Sequence, residues 1–273
     1  MEKINFAFWG TPDVASETLE ILKQSGFLPS LIITSPDKPQ GRKMIITPPP
    51  VKVFAEENDI PYLQPTTLEE NIKTQLINKN FDISIVVAYG KIIPEEILKI
   101  PRLGSINIHY SLLPKYRGAS PVESAILHGD TETGVAIQQM EFKMDTGPVL
   151  ALEKVSIHPD EKASELRKRL IKIGGELLVK NLPNIIDKKI TPITQIENEA
   201  TYCKKIQKED GLIDLTDDPI KNYNKFRAYA TWPRTFFFKD GKRIIITDAS
   251  LENVKFVIKK IIPEGGKETE YRG

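Results

Sequence analysis

The chain carries only three histidines in 273 residues, so the search for a general acid or base is short. His128 closes a helix predicted over Val122–His128, where a charge that complements the helix dipole is the ordinary explanation. His158 precedes Pro159 in a predicted loop. His109 differs, because it ends the strand-like run Ser105-Ile106-Asn107-Ile108-His109. Side chains two apart on a strand share a face, so Asn107 and His109 point one way while Ile106 and Ile108 point the other. An amide beside an imidazole at the C-terminal end of a parallel strand lies where open α/β sheets hold their ligands. Taken alone, the pair fits a polar strand end capped by water equally well.

The elements that must position this pair alternate between strand and helix. Apolar runs at Ile4–Phe8, Leu28–Ile33, Ile83–Val87, Ser105–His109 and Val135–Gln139 read as strands. Helical spacing covers Asp13–Lys23, Val51–Glu57, Leu68–Leu76, Glu161–Leu170 and Glu176–Ile185, and a proline-rich loop runs from Pro36 to Pro50. This rhythm predicts an α/β, Rossmann-like domain over residues 1–190, with a mainly parallel sheet and helices on both faces. Gly10-Thr11-Pro12-Asp13 after the first strand matches neither the dinucleotide fingerprint nor a phosphate loop, which argues against a nicotinamide enzyme. A polar linker over 191–205 leads to a small β-rich domain over 206–273. That domain has a helix at Ile220–Ala228 and strands at Thr235–Phe238, Arg243–Thr247 and Val254–Ile262. Asp240-Gly241 marks a hairpin between the first two of these strands.

Bulk properties narrow the function classes. The chain is 40% hydrophobic and 27% charged, ordinary values for a globular protein. It has no apolar run of the roughly 18 residues needed to cross a bilayer, and its start lacks the pattern of a secretory signal. The single cysteine, Cys203, excludes an internal disulfide and a thiolate metal cluster. A cytoplasmic, metal-free monomer is the expectation. Net charge is +1, which excludes a blanket nucleic-acid binder, yet it divides into −3 up to Cys203 and +4 from Lys204 onward. A basic tail on a slightly acidic body suits a polyanionic partner.

The residues after His109 decide between the readings. The run Tyr110-Ser111-Leu112-Leu113-Pro114-Lys115-Tyr116-Arg117-Gly118 is succeeded, a helix and a strand later, by Met140-Glu141-Phe142-Lys143-Met144-Asp145-Thr146-Gly147-Pro148. With Phe8-Trp9-Gly10-Thr11-Pro12-Asp13, Pro36-Asp37-Lys38-Pro39-Gln40-Gly41-Arg42, Val87-Ala88-Tyr89-Gly90-Lys91-Ile92-Ile93-Pro94 and Trp232-Pro233, these motifs cover nearly the whole chain. The sequence resembles the folate-dependent formyltransferases, in particular the branch that acts on the methionyl end of charged initiator tRNA in translation initiation.

The resemblance implies that Asn107, His109 and Asp145 are catalytic, with 10-formyltetrahydrofolate as formyl donor. An amine attacks the formyl carbon, and Asn107 donates an N–H to the oxygen that becomes negative, an interaction typically worth about 2.7–4 kcal/mol of barrier. His109 helps to move the proton from the amine to the departing folate nitrogen, and Asp145 orients His109 or a shuttling water. The resemblance further places the pterin ring against main-chain groups of the loop Ala88, Tyr89, Gly90 and Ile92 and of the loop around Phe142. Ser111, Leu112, Leu113 and Pro114 are counted with the folate contacts, chiefly as loop formers. Arg42 and Lys43 in the Pro36–Pro50 insertion are implied to meet the tRNA acceptor stem, and the basic tail domain, an OB-like barrel in shortened form, to hold phosphates. Met44-Ile45-Ile46 stands where lysines are usual, and either wedges against the first base pair or packs the loop down. The competing acceptor is an amino-sugar nucleotide, which would need no basic tail.

Overall fold

The computed structural model describes residues 4–41 and 43–272. In chain order the elements are β1 (Phe6–Gly10), α1 (Asp13–Gln24), β2 (Leu31–Ile33), β3 (Lys38–Gln40), β4 (Ile45–Thr47), α2 (Pro50–Glu57), β5 (Tyr62–Leu63), α3 (Glu70–Ile77), β6 (Ile83–Val87), α4 (Glu95–Leu98) and β7 (Ser105–His109). Then come β8 (Arg117–Gly118), α5 (Pro121–Leu127), β9 (Glu132–Gln139), β10 (Val149–Ser156), α6 (Ala163–Ile186), β11 (Tyr202–Cys203), α7 (Pro219–Ala228), β12 (Phe236–Lys239), β13 (Lys242–Glu252), β14 (Lys255–Pro263) and β15 (Thr269–Glu270).

Two compact units divide the chain, the first comprising residues 1–114, 135–153 and 170–200. Every residue of β1 and β6 is buried, as a parallel strand covered on both sides requires. The seven-stranded sheet has the order β10-β9-β7-β6-β1-β2-β5. Its strands from β7 to β5 are parallel, and β9 joins β7 antiparallel. The chain winds outward from β1 to β5, then returns to β6 and proceeds the other way. The loops after β1 and β6 therefore flank the switch point at which such sheets bind ligands.

Helix α6 is one continuous 24-residue helix, not the two helices predicted around Gly174-Gly175. Each glycine lowers helix propensity by about 1 kcal/mol, yet both sit where a side chain would crowd its neighbours. A Cβ on Gly174 would lie 3.1 Å from Ile108, and one on Gly175 2.6 Å from Ile21. Close packing against the sheet and α1 overrides propensity. The Pro36–Pro50 loop likewise holds structure, since β3 and β4 form an antiparallel hairpin. Its base is tied down by Asp37, which accepts hydrogen bonds from Gln64 and Lys52, both at 2.7 Å, and these hold its carboxyl below the usual range.

The second unit comprises residues 115–134, 154–169 and 201–273. Strands β12-β13-β14-β15 form an antiparallel sheet whose core includes Tyr223, Phe226, Phe237, Ile246 and Ile261. Asp240 and Gly241 both take positive φ, 51° and 75°, as the predicted two-residue hairpin requires. Strand β13 runs on to Glu252, well past the predicted Thr247, and turns through Asn253 and Val254. Among the described residues no helix is long and apolar enough to cross a membrane.

Candidate active site

Asn107 and His109 share the face of β7 that the alternation requires, and the sheet supplies what lies opposite. In the β7–β9 ladder Asn107 pairs with Gln138, and His109 pairs with Ala136. Alanine across from the imidazole leaves room for the ring, which is 6% exposed. The Asn107 Nδ2 donates to the Val86 carbonyl on β6 at 2.9 Å. Its second N–H has no partner among the described residues.

Asp145 arrives from the loop between β9 and β10. Its Oδ1 lies 3.7 Å from His109 Nδ1, within ion-pair range but beyond a direct hydrogen bond. The backbone at Asp145 is left-handed, φ 55°, a conformation that aspartate tolerates better than most residues. Two features hold this loop. Gln195 Nε2 donates to the carbonyls of Asp145 at 2.9 Å and Gly147 at 2.6 Å. Gly147 packs so closely that a Cβ there would lie 1.8 Å from the Gln139 carbonyl oxygen.

Sequence reasoning does not find Gln138, and this residue joins the parts. It is 2% exposed, and its Nε2 donates to Asp145 Oδ1 at 2.7 Å and to Asn107 Oδ1 at 3.3 Å. Because both neighbours are acceptors, only the NH₂ end of the Gln138 amide fits between them. That choice also orients Asn107, turning its oxygen toward Gln138 and its nitrogen toward Val86. Gln138 Oε1 is buried and accepts no hydrogen bond among the described residues. Within the motif Ile137-Gln138-Gln139 only the register with β7 distinguishes it from its polar neighbour.

The residues assigned to folate fall into two groups. Ala88 and Gly90, with φ 47° and 83°, are exposed and take left-handed backbone beside the switch point. Ile92, Phe142 and Met144 are exposed apolar side chains, at 73%, 65% and 60%. Tyr89 is core instead, with its ring edge-on to Trp9 at 5.2 Å, its carbonyl accepting from Thr11, and its phenol pushed up to about 12 by burial. Ser111 is fully buried, Leu113 packs with Ala136 and Val149, and Leu112 and Pro114 are half-buried, consistent with residues that shape the loop. Arg42 lies outside the described residues, and Lys43 is exposed. Met44, Ile45 and Ile46 are 66%, 62% and 62% exposed, so they do not pack the loop down. No group of three or more His, Cys, Asp or Glu among the described residues could hold a metal ion.

The chain that carries this amide–imidazole–carboxylate set, with Asn107 and His109 toward the C-terminal end of the interior strand β7, matches known proteins over most of its length. Residues 2–182 match the formyl transferase family, and residues 205–267 match the formyl transferase C-terminal domain. The chain belongs to the formyl transferase family. It is 40% identical over 260 residues to the methionyl-tRNA formyltransferase of Caldicellulosiruptor saccharolyticus, covering 93% of this chain and 83% of that one. A methionyl-tRNA formyltransferase structure from Clostridium thermocellum is similar with a TM-score of 0.61 and 17% identity, covering 98% of this chain and all of that one. The N-formyltransferase of Helicobacter canadensis, solved with folinic acid and dTDP-3-aminofucose, is similar with a TM-score of 0.71 and 20% identity, over 92% and 88% of the two chains.

Proposed function

We propose that this chain, as a cytoplasmic monomer, transfers the formyl group of 10-formyltetrahydrofolate to the α-amino group of methionyl-initiator tRNA. The observation that carries the acceptor assignment is 40% identity over 93% of the chain to an enzyme named for that tRNA, against 20% to the amino-sugar enzyme. Residues 1–190 are proposed as the catalytic segment, 191–205 as the connection and 206–273 as the tRNA-holding segment. The exposed backbone turn at Ala88 and Gly90 and the exposed apolar Phe142 and Ile92 suit a flat ring with polar edges, so the donor fits the residues present. Bound there, the folate supplies an activated formyl carbon.

The chain's own residues divide the remaining work. The spare N–H of Asn107 meets the formyl oxygen as it becomes negative. His109 holds the proton that the attacking amine loses and returns it toward the departing nitrogen. Asp145 keeps His109 aligned, and Gln138 holds Asn107 and Asp145 in register. Gln138→Met removes both donated hydrogen bonds at nearly constant volume. A lost bond to a charged group is worth about 1.5–3 kcal/mol, so kcat is expected to fall about tenfold or more with KM little changed. An unchanged kcat would show that the Asn107 and Asp145 side chains hold their places unaided.

The acceptor is tested by supplying the folate donor with either charged initiator tRNA or an amino-sugar nucleotide, and formylation of the sugar alone would overturn the assignment. Deleting 206–273 is a poor test of tRNA grip, because Tyr223 donates to Asp160 at 2.8 Å and helix α7 packs on α5. Alanine at the exposed Lys205, Lys208, Lys242 and Lys255 is cleaner. For each phosphate contact removed, the slope of log affinity against log salt is expected to flatten by about 0.7–0.9. Arg42→Ala should lower the single-turnover rate with charged tRNA more than it lowers affinity. Equal losses in rate and affinity would remove Arg42 from placement of the acceptor end.

A further inference from the structure

Within the second unit lies a cavity of about 40 Å³, several times the volume of about 10–15 Å³ that one water needs by the same measure. Lys162, Arg234, Thr235, Thr247 and Phe226 are among its lining residues, and no Asp or Glu is. Neither cation has an ion-pair partner among the described residues. The Lys162 ammonium instead stands over the Phe226 ring at 5.5 Å, and the Glu165 carboxylate accepts from the Lys162 backbone N–H at 2.8 Å. Thr235 is 1% exposed, and its hydroxyl is buried without a partner, as is that of Thr247. Buried hydroxyls are normally satisfied, so two orphans on residues that border one cavity mark a polar site with unspent hydrogen-bonding capacity.

The backbone adds a further sign. Arg234 has φ 66°, a left-handed conformation that costs energy for any residue with a Cβ. Its N–H is held by the Tyr229 carbonyl at 3.1 Å, and its own carbonyl packs against Gly211, where a Cβ would approach it to 2.3 Å. The fold thus clamps an arginine in a strained conformation beside a second cation and two unspent hydroxyl donors.

We propose that this cavity binds a tetrahedral oxyanion of the phosphate class. Two positive charges offset the charge of the anion, and Thr235 and Thr247 donate to its oxygens. The lining suits a phosphate better than a planar carboxylate, because the donors come from four separate side chains. The same chemistry is offered by a nucleic-acid backbone phosphate and by free orthophosphate. The site stands whether or not the transferase reading above is correct.

The test titrates orthophosphate against the full-length protein at constant ionic strength, following thermal stability and the ³¹P line width. A saturable stabilisation is expected for the parent, as for any ligand that binds only the folded state. Thr235→Val, which keeps the shape and removes an orphan hydroxyl, should be at least as stable as the parent without phosphate but bind phosphate more weakly. Arg234→Gly relieves the strained φ, so it should gain stability without phosphate and lose the response to it. The doubly substituted Lys162→Met, Arg234→Gly protein should not respond. A parent that shows no saturable effect, or a double variant that responds like the parent, overturns the proposal. Release of bound phosphate by tRNA would identify the natural ligand as a backbone phosphate. Retention at saturating tRNA would identify it as the free anion.

Discussion

Alanine at Asn107 or at His109 is expected to lower the turnover of formyl transfer by about two orders of magnitude or more, since one oxyanion donor contributes about 10²–10³-fold and one positioned acid–base group about 10²–10⁴-fold. Folate affinity should be nearly unchanged, because the proposed ring contacts lie on the main chain around Ala88 and Gly90. The geometry explains why neither loss can be absorbed. Asn107 donates one N–H to Val86, so its second N–H is the amide's remaining donor. His109 is buried against Ala136 with Asp145 at 3.7 Å, and neither His128, which bonds the Ser124 carbonyl, nor His158 is placed to substitute. The two losses should not multiply in the double variant, because residues that act as a unit lose most of their effect at the first substitution. The measurement is a single-turnover rate with saturating donor. Rates within a factor of about five of the parent for both variants would remove the pair from the chemistry.

Gly147→Ala is expected to be the most damaging substitution at a residue that touches no reacting atom. Its Cβ would stand 1.8 Å from the Gln139 carbonyl oxygen, where real contacts do not fall below 3.0 Å. The β9–β10 loop must therefore move by about 1 Å, and a misplacement of that size can cost ~10²-fold in rate. Asp145, two residues earlier, would lose its alignment with Gln138 and His109. The Gln195 bonds to the Asp145 and Gly147 carbonyls would be disturbed as well. The strain should also lower stability, by about 1–3 kcal/mol for an overpacked site. Thermal unfolding and single-turnover rate together separate the two effects. A variant that loses stability but keeps the parent's rate would show that the loop position is not what Asp145 requires.

Some of this architecture is legible in the sequence because it rests on local periodicity. Strand β7 stands out since two polar residues alternate with isoleucines inside a buried run, which identifies both a strand and a shared face. The proposed folate loop is legible only through resemblance, because contacts made by main chain leave little mark on residue types, and Tyr89 within it is core. Helix α6 reads as broken at Gly174-Gly175, because propensity is local while the close approach to Ile108 and Ile21 is not. The β3–β4 hairpin escapes a reading of the sequence because its three-residue strands lie among prolines and charged residues, too short to show a period.

By itself the sequence determined the family, the alternation of the main strands and helices of the first half and the Asn107–His109 pair, since each depends on neighbours a few positions apart and on motifs contiguous in the chain. The tertiary structure alone decided that Gln138 faces Asn107 while the adjacent Gln139 turns to the other side. It also decided that Gln195, 50 residues beyond Asp145, holds the loop that carries it. The residues 115–134, 154–169 and 201–273 share one compact unit for the same kind of reason. Strand register and close packing are set by which surfaces bury each other, and chain spacing carries no record of that choice.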